Sequence, residues 1–412
     1  MSICIGAKVV VFLKKVLTDS SFFFIFADMM QQNNRKKRVL EVIRQGQIGG
    51  GETHLLDLVE FLDREKFEPI CLAFTDGEMI TRMKAMDVEC HVIETQKPFD
   101  RKVQQEVITL MRELKIEIVH AHGSRAASNV LLPARKLHLP LVYTVHGWSF
   151  HDDQSWMIKK LRGWSEKLIC HFAQRVICVS QSNAVTGREV FGLRSCVVIE
   201  NGINLRRFNP DASYPDLRQE FSVSGRESGP TFSSDDFVVG FIARNTKQKA
   251  PLDFLEGIRL AHEKDSSVKG FFIGEGDLDA DVNHFIEMHA MRDYLFRSPF
   301  RLDVPALLHA IDVYCLPSLW EGLSIALLEA MAMRKAIIAT PTDGTRELLT
   351  DGENGLVVPF SHPEAIAATI LRLKHDKNLF NRCADGAHRL VAERFNAERV
   401  AMEVSKIYET LC

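Results

Sequence analysis

The chain has 412 residues, 51 of them basic and 54 acidic, for a formal charge of −3. That length is long for one core and comfortable for two domains, and the near balance of charge excludes bulk nucleic-acid binding as a function. Nine cysteines include no Cys-x-x-Cys pair, and Cys71, Cys178 and Cys315 stand in apolar runs, the pattern of a reduced, intracellular chain without a metal.

Residues 1–34 hold two short apolar runs, VVVFL and FFFIF, separated by Lys14, Lys15 and Asp19. In a membrane anchor each central charge would cost about 2.5–3.5 kcal/mol, and no small-residue cleavage site follows. We read the segment as an N-terminal extension, with Met29 or Met30 as the natural start ahead of the basic run Arg35 to Arg38.

A first domain is expected over residues 35–207. Its run VLEVI from Val39 predicts a short strand. After Gly49, Gly50, Gly51 and Glu52, the spacing of Leu55, Leu58, Val59 and Leu62 predicts a helix. Strand, glycine turn and helix open an α/β domain. The glycines do not match G-x-G-x-x-G, so a nicotinamide site is poorly supported. They either let backbone N–H groups approach a phosphate or sugar closely, or make a plain tight turn. Further strands are predicted near 117–123, 141–147, 175–180 and 197–202, and their alternation with helical stretches predicts a parallel sheet covered on both faces. Ligands of such sheets lie beyond the strand C-terminal ends, where His122 and His146 stand, each beside a glycine. His120 and His122 share one strand face as a conceivable metal pair, without an evident third ligand. Met157, Leu161, Trp164, Leu168 and Phe172 recur at helical intervals and are read as a core-facing stripe. A second reading of that stretch, from Trp156, Lys159, Lys160, Arg162 and Lys167, is attachment to an anionic membrane surface.

Residues 208–236, rich in Ser, Pro, Gly and charge, are read as a linker and hinge. The second domain, 237–395, repeats the strand and helix alternation from FVVGFIAR to KAIIAT, and residues 396–412 form a last amphipathic helix. Arg244 and Lys249 flank the loop after the first strand of this domain. A guanidinium fork and an ammonium there would neutralise a leaving diphosphate without a metal, although two loop cations are also ordinary surface charge. Glu321, in a turn, and Glu329, in a predicted helix, lie eight positions apart. Along a helix that separation is roughly 12 Å at most, too wide for the roughly 5–9.5 Å carboxylate pair of a glycosidase. It suits the sugar and ribose of a nucleotide-sugar, with the diphosphate at the intervening helix start.

The block PSLWEG, LLEAMA and DGENGLVVP, with its Glu, seven residues, Glu spacing, resembles the retaining nucleotide-sugar glycosyltransferases of family four, and the likeness runs from about Arg38 to the C-terminus. The resemblance implies the GT-B fold: two doubly wound parallel-sheet (Rossmann-like) α/β domains facing a central cleft, with the last helix crossing back to the acceptor-side first domain. It implies that Glu321 binds sugar hydroxyls and Glu329 the ribose, with Gly322, Leu323 and Ser324 beside the donor and Arg244 and Lys249 on the leaving diphosphate. Gly50, Gly51 and His54 match its GG-x-E-x-H loop with Glu52 shifted one place, bordering donor phosphates and acceptor. His146 corresponds to its sugar-contacting histidine, His122 lies on the acceptor side, and Gly274 and Gly276 match its glycine turn near the nucleotide. Asn245 and Ala250 replace its usual leucine and glycine in GRL-x-x-x-KG. Arg334, Ala336 and Pro299 are further departures, and Asp343 takes the first position of GG-x-x-E, adding a charge near sugar and phosphates.

The implied activity is transfer of a hexose from a UDP- or GDP-sugar, without cofactor or metal, to a glycan or lipid-linked acceptor. The implied place is the cytoplasm or the inner face of the cell membrane, in polysaccharide or lipopolysaccharide synthesis. Two rivals are a sugar phosphorylase, which needs a pyridoxal phosphate lysine, and a non-catalytic bilobed sugar- or nucleotide-binding protein.

Overall fold

A computed structural model describes residues 35–150, 155–223 and 230–411. The N-terminal extension and the proposed start lie outside the described residues. In the first half, strands β1 (Lys37–Ile43), β2 (Phe67–Ala73), β3 (Glu89–Val92), β4 (Ile118–His122), β5 (Leu141–Val145), β6 (Arg175–Cys178) and β7 (Val197–Val198) alternate with helices α1 (Gly50–Phe61), α2 (Glu78–Ala85), α3 (Arg101–Glu113), α4 (Ser124–Lys136), α5 (Trp156–Phe172) and α6 (Gln181–Phe191). After α7 (Leu217–Val223), the second half has β8 (Phe237–Ile242), α8 (Pro251–Lys264), β9 (Val268–Ile273), α9 (Asp279–Met288), β10 (Leu295–Ser298), α10 (Val304–Ala310), β11 (Val313–Leu316), α11 (Ile325–Ala332), β12 (Ala336–Ala339), α12 (Asp343–Leu348) and β13 (Leu356–Val357). Helices α13 (Pro363–His375), α14 (Lys377–Arg394) and α15 (Ala397–Glu409) close the chain.

Two sheets result, in the orders β3-β2-β1-β4-β5-β6-β7 and β10-β9-β8-β11-β12-β13, with every pairing parallel. Each order reverses direction at its first strand, the doubly wound pattern that opens a crevice beyond the strand C-terminal ends. Because helices cover both faces, the central strands are buried throughout and read as near-continuous apolar runs. Strands β2, β3, β10 and β13 were not legible as strands: β2 carries Pro69, and the others span two to four residues.

The segment expected as a linker is bound to the second domain. Phe208, Leu217, Phe221 and Phe232 join its core, Phe221 stacking on Phe296 at 3.7 Å. Arg218 donates to the Ala310 carbonyl and to Asp312 at 2.7 and 2.8 Å. The two crossings between domains run side by side instead. Ile203 N–H donates to the Phe395 carbonyl and Ala397 N–H to that of Ile203, at 2.9 and 3.1 Å. Helix α15 then packs Val400, Val404 and Tyr408 against the first-domain core of Leu55 and Val59.

The core-facing reading of α5 holds only for its second half, where Leu168 and Phe172 pack against the first-domain core. Met157, Leu161 and Trp164 are 63%, 68% and 64% exposed, while the side turned inward carries Gly163, Glu166 and Ile169. The physical reason is polar. The Glu166 carboxylate accepts from Ser124 Oγ at 2.6 Å, from the Tyr143 hydroxyl at 2.8 Å and from Ser149 N–H at 3.1 Å. That network fixes which side of the helix meets the domain.

Candidate functional site

A cleft of about 710 Å³ lies between the C-terminal edges of the two sheets. Its first-domain wall is the start of α1 and the loop after β5; its second-domain wall is the loop after β8 and the start of α11. The walls touch directly. Asn201 donates to the Leu323 carbonyl at 2.9 Å, and the Glu347 carboxylate accepts from Gln181 N–H and Ser182 N–H at 3.0 and 2.5 Å, capping α6 from across the cleft. Gly322 is a close-approach position: a Cβ there would lie 3.0 Å from the His146 carbonyl oxygen, and one on Gly344 would lie 1.7 Å from that of Gly322.

On the second-domain wall, Arg244 is exposed and holds no ion pair among the described residues. Lys249 Nζ pairs with Glu321 Oε1, which also accepts from Ser318 Oγ at 2.7 Å, so two groups expected to serve diphosphate and sugar separately are joined. Ala250 follows with φ +46°, in the left-handed region. That is the reason for a glycine at this point in the resembled motif, and alanine carries strain there. Gly274 and Gly276 do not line the cleft. They pass behind the Arg244 loop, where a Cβ on Gly274 would lie 1.8 Å from the Ala243 carbonyl oxygen. The buried Asn245 ties that turn down by donating to the Gly274 carbonyl at 3.0 Å and to Asp279 at 2.6 Å.

Gly322, Leu323, Ser324, Ile325 and Ala326 all line the cleft, so the N-terminus of α11, capped by Ser324 Oγ accepting from Leu327 N–H, faces it as an anion-attracting end. Glu329, one turn further along, lies at the floor. Burial pushes its carboxyl up to about 8, against the pull of Arg207 and with a push from Asp57. Burial likewise raises Asp57 and Glu52 to about 7 each. Asp343 lines the cleft, as the added charge in its motif position suggested.

On the first-domain wall, Gly50 and Gly51 are the first two residues of α1, with Gly49 as its N-cap, so the expected glycine loop is a helix start. A Cβ on Gly51 would come within 3.6 Å of the His146 ring. His146 lines the cleft, whereas His54 and His122 are buried behind it and reach no cleft surface. The three histidines pack ring against ring and connect to a carboxylate. His122 meets His146 Nε2 through Nδ1 at 3.2 Å and Glu41 through Nε2 at 3.0 Å. The Tyr408 hydroxyl donates to Glu41 at 2.7 Å and lies 2.5 Å from His120 Nδ1.

Burial opposes ionisation of Glu41, yet the neighbouring His120 and His122 hold it well below the usual carboxylate range. Burial lowers His54 to about 3 and His122 to about 4, and with the other histidines it lowers His146 too. At neutral pH His54, His122 and His146 are therefore neutral and the carboxylate charged. Since Glu41 accepts from His122 Nε2–H, the bare His122 Nδ1 accepts from His146 Nε2–H, leaving His146 Nδ1 as its acceptor nitrogen.

Among the described residues, Glu41 stands beside the His120 and His122 pair, and a further group shares only His122 with it. His54, His122 and His146 bring ligand atoms within 4.8 Å of one another, as do Glu41, His120 and His122. The second group already spends its atoms on mutual hydrogen bonds and Tyr408. The roles of Arg207, Asp57, Glu41 and Tyr408 were missed in the sequence. Only Glu41 had a signal, as a lone carboxylate inside the apolar run VLEVI.

Residues 48–207 match the family described as Glycosyltransferase Family 4, and residues 227–390 the one described as Glycosyl transferases group 1. The chain is 27% identical to the UDP-Gal:alpha-D-GlcNAc-diphosphoundecaprenol alpha-1,3-galactosyltransferase of Escherichia coli, over 75% of this chain and 79% of that protein. It is 25% identical to a phosphatidyl-myo-inositol mannosyltransferase of Mycobacterium leprae, over 88% and 93%. Among solved structures, Anabaena HepE in complex with UDP and glucose superposes with a TM-score of 0.78 at 20% identity, covering 90% of this chain and 99% of that one.

Proposed function

Because the chain belongs to the group 1 glycosyl transferases of family 4, with the GT-B fold, we propose that it transfers a hexosyl group from a nucleotide diphosphate sugar to a glycan or lipid-linked acceptor. The observation that carries this reading is the convergence in one cleft of Arg244, the Lys249–Glu321 pair, the N-terminus of α11 and Glu329. A cleft of that size suits a ligand as large as a nucleotide-sugar. Arg244, Lys249 and the helix end meet the diphosphate, Glu329 the ribose, and Glu321 the sugar hydroxyls once Lys249 turns to phosphate.

The bond from the sugar's anomeric carbon to the phosphate oxygen breaks, and the acceptor oxygen attacks from the same face. The leaving phosphate takes the acceptor's proton, so configuration is retained. Charge developing on the diphosphate is met by two cations and a helix end, so the reaction runs without a metal. His146 orients the sugar, and contact between the domains keeps water from the donor. The relatives that use UDP-Gal or bind UDP support a UDP-hexose, and those acting on lipid-linked substrates support a lipid-linked acceptor in polysaccharide or glycolipid synthesis.

The test is a thermal-shift screen with UDP, GDP and ADP, followed by assay of the matching nucleotide-sugar for nucleotide release with and without chelator. A shift of about 2.7 kcal/mol at a hundredfold excess over Kd is expected with UDP, as is a chelator-insensitive rate. Absence of a shift with every nucleotide would sink the reading, and a pyridoxal absorbance in the purified protein would favour a phosphorylase.

A further inference from the structure

We propose that His54, His122 and His146 form an inhibitory site for a divalent transition-metal ion of the zinc class, set into the first-domain wall of the cleft. Three separate elements carry the imidazoles: His54 lies early in α1, His122 ends β4, and His146 opens the loop after β5. Their ligand atoms lie within 4.8 Å of one another, and His122 Nδ1 stands 3.2 Å from His146 Nε2. Two nitrogens on a tetrahedral zinc ion, each about 2.0–2.1 Å from it, are roughly 3.3–3.4 Å apart. One edge of that tetrahedron is therefore already made. The third imidazole, whose ring meets that of His146 edge-on with centroids 4.8 Å apart, has at most about 1.5 Å to close.

The surroundings are those of a ligand set. His122 gives its other nitrogen, Nε2, to the Glu41 carboxylate at 3.0 Å, and the Tyr408 hydroxyl holds that carboxylate at 2.7 Å. A carboxylate behind a ligating histidine fixes its tautomer, bares the opposite nitrogen and raises its basicity. Burial keeps all three imidazoles neutral, the form that binds metal. Three nitrogens suit zinc and its neighbours, whereas magnesium and calcium want oxygen. Three protein ligands also leave a fourth position for water. Because His146 lines the cleft while His54 and His122 are buried behind it, the ion enters past His146.

Inhibition follows from the tautomers. In the metal-free protein His146 Nε2–H donates to His122 Nδ1, and His146 Nδ1 is a bare acceptor. When Nε2 takes the ion, its proton moves to Nδ1. A sugar hydroxyl that met a bare nitrogen then meets an N–H. This consequence rests on the transferase reading; the metal site itself does not.

Chelator-treated full-length protein is titrated with Zn²⁺ by calorimetry, with Mg²⁺ as control, and with Co²⁺ followed by visible absorption. One zinc per chain, no magnesium uptake and the intense bands of four-coordinate cobalt are expected. His54→Gln and His122→Gln should each abolish the site, and Glu41→Gln should weaken it by about tenfold to a hundredfold with the three ligands in place. A cooperative melt and an unchanged far-ultraviolet spectrum certify that each variant is folded, and if Glu41→Gln does not fold, His54→Gln decides. The metal site is overturned if wild type binds zinc no more tightly than folded His54→Gln, or if the cobalt spectrum is that of a six-coordinate ion. In the nucleotide-release assay zinc should suppress turnover and chelator restore it, with UDP affinity unchanged because UDP lies on the opposite wall. Full turnover with zinc bound would overturn the inhibitory role. Absence of turnover with every nucleotide-sugar would sink the transferase reading and leave the calorimetric result standing.

Discussion

Replacing Glu329 by glutamine should make the unliganded protein more stable and its donor binding weaker, two effects of opposite sign from one atom. The carboxyl keeps its proton up to about pH 8 in the folded chain, against 4.5 for an ordinary glutamate. Between those values unfolding releases a proton, so this group's contribution to stability falls as pH rises. Each pH unit is worth about 1.4 kcal/mol, which gives roughly 3 kcal/mol at pH 7 for a dry site and about 1–2 kcal/mol once cleft solvent is allowed for. Glu329→Gln should therefore melt about 2–4 °C higher at pH 7 and lose that advantage near pH 4.5. Ribose hydroxyls, however, need the charged form. Loss of a charge-assisted hydrogen bond costs about 1.5–3 kcal/mol, or roughly tenfold to a hundredfold in UDP affinity. In the wild type, UDP affinity should climb with pH and level off above about pH 8, whereas in the glutamine variant it should be flat. Differential scanning fluorimetry and titration calorimetry from pH 5 to 9 measure both. A glutamine variant that melts lower than wild type, or that keeps the pH slope, would refute the reasoning.

Arg244→Ala should lower kcat/KM by about a hundredfold to a thousandfold with an unchanged melting temperature, because the side chain is exposed and has no ion pair among the described residues; steady-state kinetics beside a melt check both halves. Tyr408→Phe removes the hydroxyl that satisfies Glu41 and His120 and should cost about 1–3 kcal/mol of stability, read by denaturant unfolding, while nucleotide binding persists. Gly274→Ala meets the Ala243 carbonyl at 1.8 Å with φ at +147°. It should shift the Arg244 loop and weaken UDP binding or abolish soluble expression, and wild-type affinity in calorimetry would contradict that.

Periodicity and turn chemistry in the sequence were enough to read two parallel α/β domains, since strands buried on both faces must be apolar throughout and their helices amphipathic. The motif block pointed to Glu321 and Glu329, and the resemblance of other segments to Arg244, Lys249 and His146; all five line the cleft, because chemistry that needs particular residue types at fixed short spacing leaves a local trace. What depended on distant packing left none. Glu41 and Tyr408 are 367 positions apart and meet only because α15 crosses back to the first domain. Arg207 tunes Glu329 because the chain enters the second domain beside the cleft. The side of α5 that faces water was likewise undecided by its stripe. A helix turns its apolar side inward only when the partner surface is apolar, and here Ser124 and Tyr143 of other elements claim Glu166, leaving the tryptophans outside. Local spacing thus determined which residues could do the chemistry, and the tertiary structure decided their charge state, their partners and which surface is left to be covered.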